Sequence, residues 1–358
     1  MSFRDLGIPA STSTVTVRIF DVVSDPQDMI SSAANFLSPV PPGYENIPLP
    51  IFAFLIQNNS TKQRVMFDLG IRKDLENAAP SVAELVNTGR LKIPVKKDIV
   101  EQLEDDKVDL ESISAVIWSH SHVDHTGDMS KWPSSTDLVV SSKMVLETYE
   151  SNPCDGRKVV PLAFDDESLP EIGGFKAHDY FSDGSLYILD VPGHQAGHTC
   201  ALARVTPNSF LFLGADICHH PGVFRPTSKL HQHVPCPGAL LAATRISISP
   251  SHVQAPSFIA GEFDLASRTT PLLAIPDKGY FEDPVTARAS IEKMTDFDAN
   301  ADVLVVIAHD ESLGGVIGAL PASLDEWKAK GWKKEGTWAF LDEKNPAFRF
   351  GLKTAAVA

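Results

Sequence analysis

Ser119-His120-Ser121-His122-Val123-Asp124-His125-Thr126-Gly127-Asp128 follows directly on the apolar run Ile113-Ser114-Ala115-Val116-Ile117-Trp118. The apolar run predicts a buried strand, so the histidines and the carboxylate are presented where that strand ends. A solvated His-rich loop would need no partners elsewhere in the chain, and here partners follow downstream. Alternate side chains of an extended segment share a face. His120, His122 and Asp124 are therefore expected to converge, while His125 opens the next turn and points differently, so that one run can serve two metals. Imidazole suits zinc, and mixed nitrogen and carboxylate ligation with an open position marks a catalytic rather than a structural site.

The downstream partners are Val191-Pro192-Gly193-His194-Gln195-Ala196-Gly197-His198, Leu211-Phe212-Leu213-Gly214-Ala215-Asp216 and Val305-Val306-Ile307-Ala308-His309-Asp310. With the first stretch they resemble, in family order, four landmarks of the metallo-β-lactamase superfamily. These are its His-X-His-X-Asp-His signature, its Pro-Gly-His loop, the strand ending in its metal-bridging Asp, and its last His. The resemblance is greatest to the two-zinc lactonases that open acyl-homoserine lactones. It implies an α/β fold of the αββα type, two mixed β-sheets packed together with helices outside and metals at one edge.

It also implies two Zn2+ ions, or other divalent transition metals, with His120, His122 and His194 on the first, Asp124, His125 and His309 on the second, and Asp216 bridging them. Water activated between the ions would then open a small lactone, with Asp124 carrying a proton to the leaving group. Cyclic amides or carbamates of the benzoxazolinone type, and thioesters of the glyoxalase II kind, are the alternatives. A glutathione thioester would call for basic residues near the C-terminal end to grip its carboxylates; Arg349 and Lys353 are there, but nothing marks them for it. Relatives that hold two irons and reduce oxygen have Glu at the position of His122, so hydrolysis is expected. No Gly-X-Ser-X-Gly elbow is present to offer a serine nucleophile. The lactonases carry a Tyr where, counted from the bridging Asp, this chain has His219. Imidazole can replace the phenol as a donor to the substrate carbonyl, which makes His219, or failing it His220, a candidate catalytic residue. Simple packing is the alternative for both.

The formal net charge of the 358-residue chain is -15, from 46 acidic and 31 basic residues. Such a balance repels polyanions unless basic side chains cluster. The densest basic regions, Lys96-Lys97 and Lys328 to Lys334, read as solvated surface, so no nucleic acid is expected and a small molecule is the expected partner. Cys154, Cys200, Cys218 and Cys236 are scattered without a Cys-X-X-Cys pair, which indicates neither a disulfide framework nor a thiolate zinc site. No signal core and no run of roughly 18 apolar residues occurs. The expectation is a cytoplasmic protein away from membranes, with a homodimer possible.

Outside the motifs, Thr14 to Phe20 and Ile51 to Ile56 read as strands. Residues 24–48, rich in proline yet carrying Met29, Phe36 and Tyr44, suit a covering loop with a short helix. That loop would wall the substrate pocket, cover core or form an oligomer contact. Arg64 to Gly70 reads as a strand running into a tight turn. Its resemblance to the family's apolar-Asp-Thr-Gly segment, with Leu69 for the Thr, makes Asp68 a group that orients a ligand His. Helices are expected at Ile99 to Leu103, from a Ser141-Ser142 cap through Glu147, at Pro284 to Phe297 and at Leu324 to Trp332, and a hairpin at Ala201 to Leu213. His198 is expected to be structural. Residues 219–280, with His231, His233 and His252, read as a lid. The chain is thus expected to be one domain, 1–358, with inserts at about 24–48 and 219–280 that set substrate preference.

Overall fold

The computed structural model describes residues 4–23, 25, 28–41, 43–89, 91–145, 156–237 and 268–350. Its strands are β1 Val15–Asp21, β2 Ile30–Ser32, β3 Asn46–Pro48, β4 Phe52–Asn58, β5 Arg64–Phe67, β6 Ile113–Ile117, β7 Asp137–Ser141 and β8 Val159–Leu162. They continue as β9 Glu171–Ile172, β10 Phe175–Asp179, β11 Leu186–Asp190, β12 Thr199–Thr206, β13 Ser209–Leu213, β14 Val303–Val306 and β15 Ala322–Ser323. Among the described residues they form a seven-stranded sheet, ordered β15-β1-β4-β5-β6-β7-β8, a six-stranded sheet, ordered β14-β13-β12-β11-β10-β9, and a separate two-stranded pair, β2-β3. The two larger sheets are mixed: β5 through β8 run parallel, as do β13 and β14, while the remaining pairs are antiparallel.

Side chains alternating across the strands build three apolar layers. Val15, Val17 and Ile19 of β1, Phe52, Phe54 and Ile56 of β4, Ile188 of β11 and Leu304 and Val306 of β14 meet between the sheets. The opposite faces are equally apolar. Ala53, Leu55, Met66 and Val116 pack outward under the helix Ile99–Asp105. Tyr187, Leu189, Val303 and Val305 pack outward under the helix Pro284–Ala299. Burial on both faces explains why β4 and β14 read as continuous apolar runs. The first helix starts at a capping box, Asp98 accepting from the Glu101 N–H and Glu101 from the Asp98 N–H. The second has Pro284 in its first turn behind the Asp283 cap and buries Ala287, Ile291, Met294 and Phe297, one stripe at helical spacing. The expected αββα architecture is the observed one.

Several local expectations are corrected. The insert at 24–48 does contain a short helix, Ala33–Asn35, but it also forms the β2–β3 hairpin, and Phe36, Leu37, Ile47 and Leu49 join the layer outside the second sheet. Residues 219–237 are no open lid: Phe224, Leu230 and Cys236 are buried in that same layer. Most apolar side chains of these loops thus cover core, one of the three roles open to the insert, while Ile30 is exposed. His252 and Cys154 lie outside the described residues, and Cys200, Cys218 and Cys236 are free thiols. The helix expected at Leu324 to Trp332 is turn from Asp325 to Gly331. Gly331 stands at a left-handed φ of 73°, and a short helix begins only at Trp332–Gly336. Beyond Ser141 the chain turns through Ser142 and Lys143, with no helix up to Val145, and the remainder of that expected helix lies outside the described residues. The helix Pro80–Asn87 was not read from the sequence. No described helix is long and apolar enough to cross a membrane.

Candidate metal centre

Strand ends bring the motif residues to one edge of the two-sheet core. β5 and β6 are parallel neighbours, so Asp68 and Ser119, just past their ends, meet. Asp68 accepts from the Ser119 N–H at 2.7 Å and from the Ser119 hydroxyl at 2.8 Å. Asp68 holds a left-handed φ of 60°, which aims its carboxylate back along the site. β13 and β14 are also parallel neighbours, and the Ala308 N–H donates to the Ala215 carbonyl at 3.0 Å, setting Asp216 beside His309. β11 delivers His194. Its loop is held against the helix Pro284–Ala299 by the Ser290 hydroxyl on the Pro192 carbonyl at 2.7 Å, and by the N–H groups of Glu282 and Asp283 on His194 and Gly193.

Extended alternation holds for His120 and His122 and then stops, because Val123–Thr126 is a single helical turn. Asp124 therefore leaves the face of His120 and His122 and joins His125. Two groups of donors result. In one, His120 Nε2 and His194 Nε2 each lie 3.0 Å from His122 Nδ1, and 3.5 and 3.3 Å from Asp216 Oδ2. In the other, His125 Nε2 and His309 Nε2 each lie 3.0 Å from Asp216 Oδ1, and 4.0 and 3.6 Å from Asp124 Oδ2. The two oxygens of Asp216 face the two groups.

Donors held 2.0–2.1 Å from a tetrahedral ion stand roughly 3.3 Å apart, and the separations within both groups fall around that value. Hydrogen bonds on the far ring atoms leave lone pairs turned inward. His125 Nδ1 donates to Asp68 at 2.8 Å and His309 Nδ1 to the Pro50 carbonyl at 2.6 Å, so both Nε2 atoms are unprotonated when the rings are neutral. His125 Nε2, His309 Nε2 and Asp216 Oδ1 are buried and make no hydrogen bond. Buried polar atoms without partners are costly, and a divalent ion satisfies all three together. The residues fit metal ions.

The electrostatics of the two groups differ. Burial lowers His120 well below the usual imidazole range and His122 to about 4, so both are neutral near pH 7. Burial also acts on His125 and His309, but there the carboxylates outweigh it. Asp216, Asp68 and Asp124 hold His125 well above its ordinary value, and Asp216 with Asp124 raises His309. Asp216 is itself kept well below the carboxylate range, the charges of His125, His309 and His219 outweighing its burial.

All seven residues taken from the resemblance as metal ligands thus stand in the two groups. His198 stands outside them: its Nδ1 donates to the Val191 carbonyl at 2.9 Å and its Nε2 accepts from the Asp216 N–H at 3.1 Å, fixing that residue's backbone. His219 is at the site, Nε2 3.1 Å from Asp216 Oδ2, its ring parallel to that of His309 and 4.2 Å from Phe36 of the 24–48 insert. His220 turns away and accepts from the Gly222 N–H while its ring meets Phe340 and Phe350. The sequence reading missed Tyr280 and Phe281, which sit in an irregular loop without periodicity. Tyr280 is half exposed with its ring 6.4 Å from that of His122 and 5.3 Å from Phe36, and Phe281 packs 5.1 Å from the His194 ring.

Fold and donor set define a metal-dependent hydrolase, and the chain belongs to the metallo-beta-lactamase superfamily, whose family model matches residues 46–203. It is 35% identical to the gamma-lactamase FDB1 of Fusarium pseudograminearum over 95% of this chain and 84% of that protein. To the metallo-hydrolase mfmC of Annulohypoxylon moriforme it is 36% identical over 96% of this chain and 90% of that one. The crystal structure of a quorum-quenching N-acyl homoserine lactone lactonase shares the fold. It has a TM-score of 0.53 at 15% identity and covers 87% of this chain and 99% of its own.

Proposed function

We propose that this chain holds two Zn2+ ions and opens a small cyclic acyl compound, a lactone or the corresponding lactam. The reading rests on one observation: two groups of His and Asp donors face the two oxygens of a single buried carboxylate, Asp216. His120, His122 and His194 would hold one ion, Asp124, His125 and His309 the other, and Asp216 both. When bound, such a pair supplies an acidified water and a Lewis acid for the scissile carbonyl. Asp68 and His198 keep His125 and Asp216 in place for it. Asp124, on the helical turn and less buried than the other carboxylate, Asp216, is the carboxyl that can carry a proton to the leaving oxygen or nitrogen. His219, with an Nδ1 that makes no hydrogen bond, is the candidate donor to the carbonyl oxygen. Phe36 and Tyr280 form an aromatic wall beside His219 and His122, against which the non-reacting part of the substrate packs.

A cyclic amide is favoured as the second reading by the 35% identity to a protein named a gamma-lactamase. An ester has the better leaving group, so a site that opens a lactam should also open the matching lactone. Glutathione thioesters fit less well. Arg349, one of the two cations the sequence offered for gripping carboxylates, is buried and paired with Glu311, and Lys353 lies outside the described residues. The test is hydrolysis by zinc-loaded protein of matched γ-lactones, γ-lactams, benzoxazolinone-type carbamates and glutathione thioesters, with metal content measured on the same sample. Turnover of thioesters alone, or full activity in chelator, would overturn the proposal.

A further inference from the structure

The two metal-facing histidines of the second donor group are not held alike. His125 donates its Nδ1 proton straight to a carboxylate, Asp68, at 2.8 Å. His309 donates to a main-chain oxygen, that of Pro50, at 2.6 Å. The N–H of that same peptide group belongs to Ile51, and it donates to Asp21 Oδ1 at 3.2 Å. Asp21 closes β1, where the strand pairs with Phe52 of β4, and its Oδ1 also accepts from the Val23 N–H at 2.9 Å. A carboxylate, one amide and an imidazole are therefore in line: Asp21 on the N–H side of the Pro50–Ile51 peptide, His309 on its carbonyl side, and the inward Nε2 of His309 against Asp216.

We propose that Asp21 is a positioning residue for His309, acting through the Pro50–Ile51 peptide as Asp68 acts directly on His125. Hydrogen bonds in a chain polarise one another. A negative charge accepting from the amide N–H makes its carbonyl oxygen a stronger acceptor for the His309 Nδ1–H. That fixes the tautomer with Nε2 unprotonated and makes Nε2 the better donor to an ion. Burial pushes the Asp21 carboxyl up to about 7, opposed by the Ile51 and Val23 N–H groups and by charge on His309, so the charge that the relay needs is present at pH 8, where the titrations are made. The inference rests on the two-metal reading.

Asp21→Asn tests it, because the amide keeps the size and an oxygen acceptor for the Ile51 N–H but removes the charge. Metal-free protein is titrated with Zn2+ against a competing chelator and with Co2+ by its visible d–d bands, alongside thermal unfolding. In Asp21→Asn the ion on the His125/His309 side should bind roughly 10- to 100-fold more weakly, with altered Co2+ bands. The His120/His122/His194 side should match wild type, and the unfolding temperature should change little. Two wild-type affinities in both Asp21→Asn and Asp21→Ala would overturn the relay while leaving the metal reading intact. So would weakening of both sites in Asp21→Ala together with a lowered unfolding temperature, which marks a merely structural residue. Wild-type protein that takes up no ion on the His309 side would overturn the metal reading, and the relay with it.

Discussion

Asp124 is the one carboxylate donor set on the helical turn, beside His125, rather than past a strand end, and its place separates binding from proton transfer. An amide nitrogen leaves only when protonated, whereas an alkoxide can leave with less help. Asp124→Asn should therefore cost a lactam more than the matching lactone. Loss of a general acid is worth about 100- to 10,000-fold, and the lactam should fall nearer the upper end. Equal losses on both substrates, with two ions still bound, would show that Asp124 carries no proton. For His219 the expected loss is in turnover: His219→Ala should lower kcat by an amount on the order of 3 kcal/mol, the worth of one donor aimed at developing charge, with both ions retained. If an ion is lost instead, His219 belongs to the donor set, as its 3.1 Å approach to Asp216 also permits.

The electrostatic asymmetry makes a prediction about pH. His125 and His309 are raised by their carboxylates, so in the metal-free protein they keep a proton up to higher pH than free imidazole, and an ion must displace it. His120 and His122 are lowered, the latter to about 4, and lose their protons in more acidic solution. As pH rises from about 5, the His120 side should load first and the His125 side later, the second uptake releasing protons. Calorimetric titration with Zn2+ in buffers of different ionisation enthalpy measures this, and the opposite loading order would refute it.

Among the elements, the loop that delivers His194 is the tightest fit. Gly193 has φ 128°, and a Cβ there would lie 2.3 Å from the Ala287 nitrogen of the helix behind it. Gly193→Ala should push loop and helix apart, destabilise the protein by about 1–3 kcal/mol and weaken the ion on the His194 side before the other. Wild-type stability and metal content would mean the helix gives way freely. This loop also shows what the sequence could reveal. Strands that end in histidine or aspartate, β6, β11, β13 and β14, were legible because an apolar run stops where a ligand begins. The 24–48 and 219–237 segments were not, since their apolar residues lack any period. Phe36 and Phe224, one on each insert, are both buried in the layer outside the second sheet, yet Phe224 lies beneath Arg225 while Phe36 reaches His219. Tertiary packing alone separates them. The break after His122 was invisible for a related reason: alternation predicts a face only while the chain stays extended, and β6 ends at Ile117, before the helical turn that begins at Val123.

For the molecule as a whole, the question is what the ions hold together. Small metal domains are unfolded without metal because the ligands are most of their core. Here the donors occupy one edge, and the three apolar layers between and outside the sheets begin beside it, at Ala215, Ile217 and Trp118, and continue along the whole length of the strands. Removal of metal leaves His125, His309 and Asp216 as a buried group of charges that partly satisfy one another. The chain should therefore stay folded in chelator, with near-ultraviolet dichroism preserved. It should still lose the linkage contribution of the ions, about 4 kcal/mol for each ion present at a thousand times its dissociation constant. In a domain of this size that lowers Tm by roughly 10 °C or more, recoverable by adding Zn2+. The fall should be larger at pH 8 than at pH 6, because His125 and His309 must be neutral to bind. Loss of near-ultraviolet dichroism on chelation at 25 °C would place the metals inside the folding core rather than at its edge.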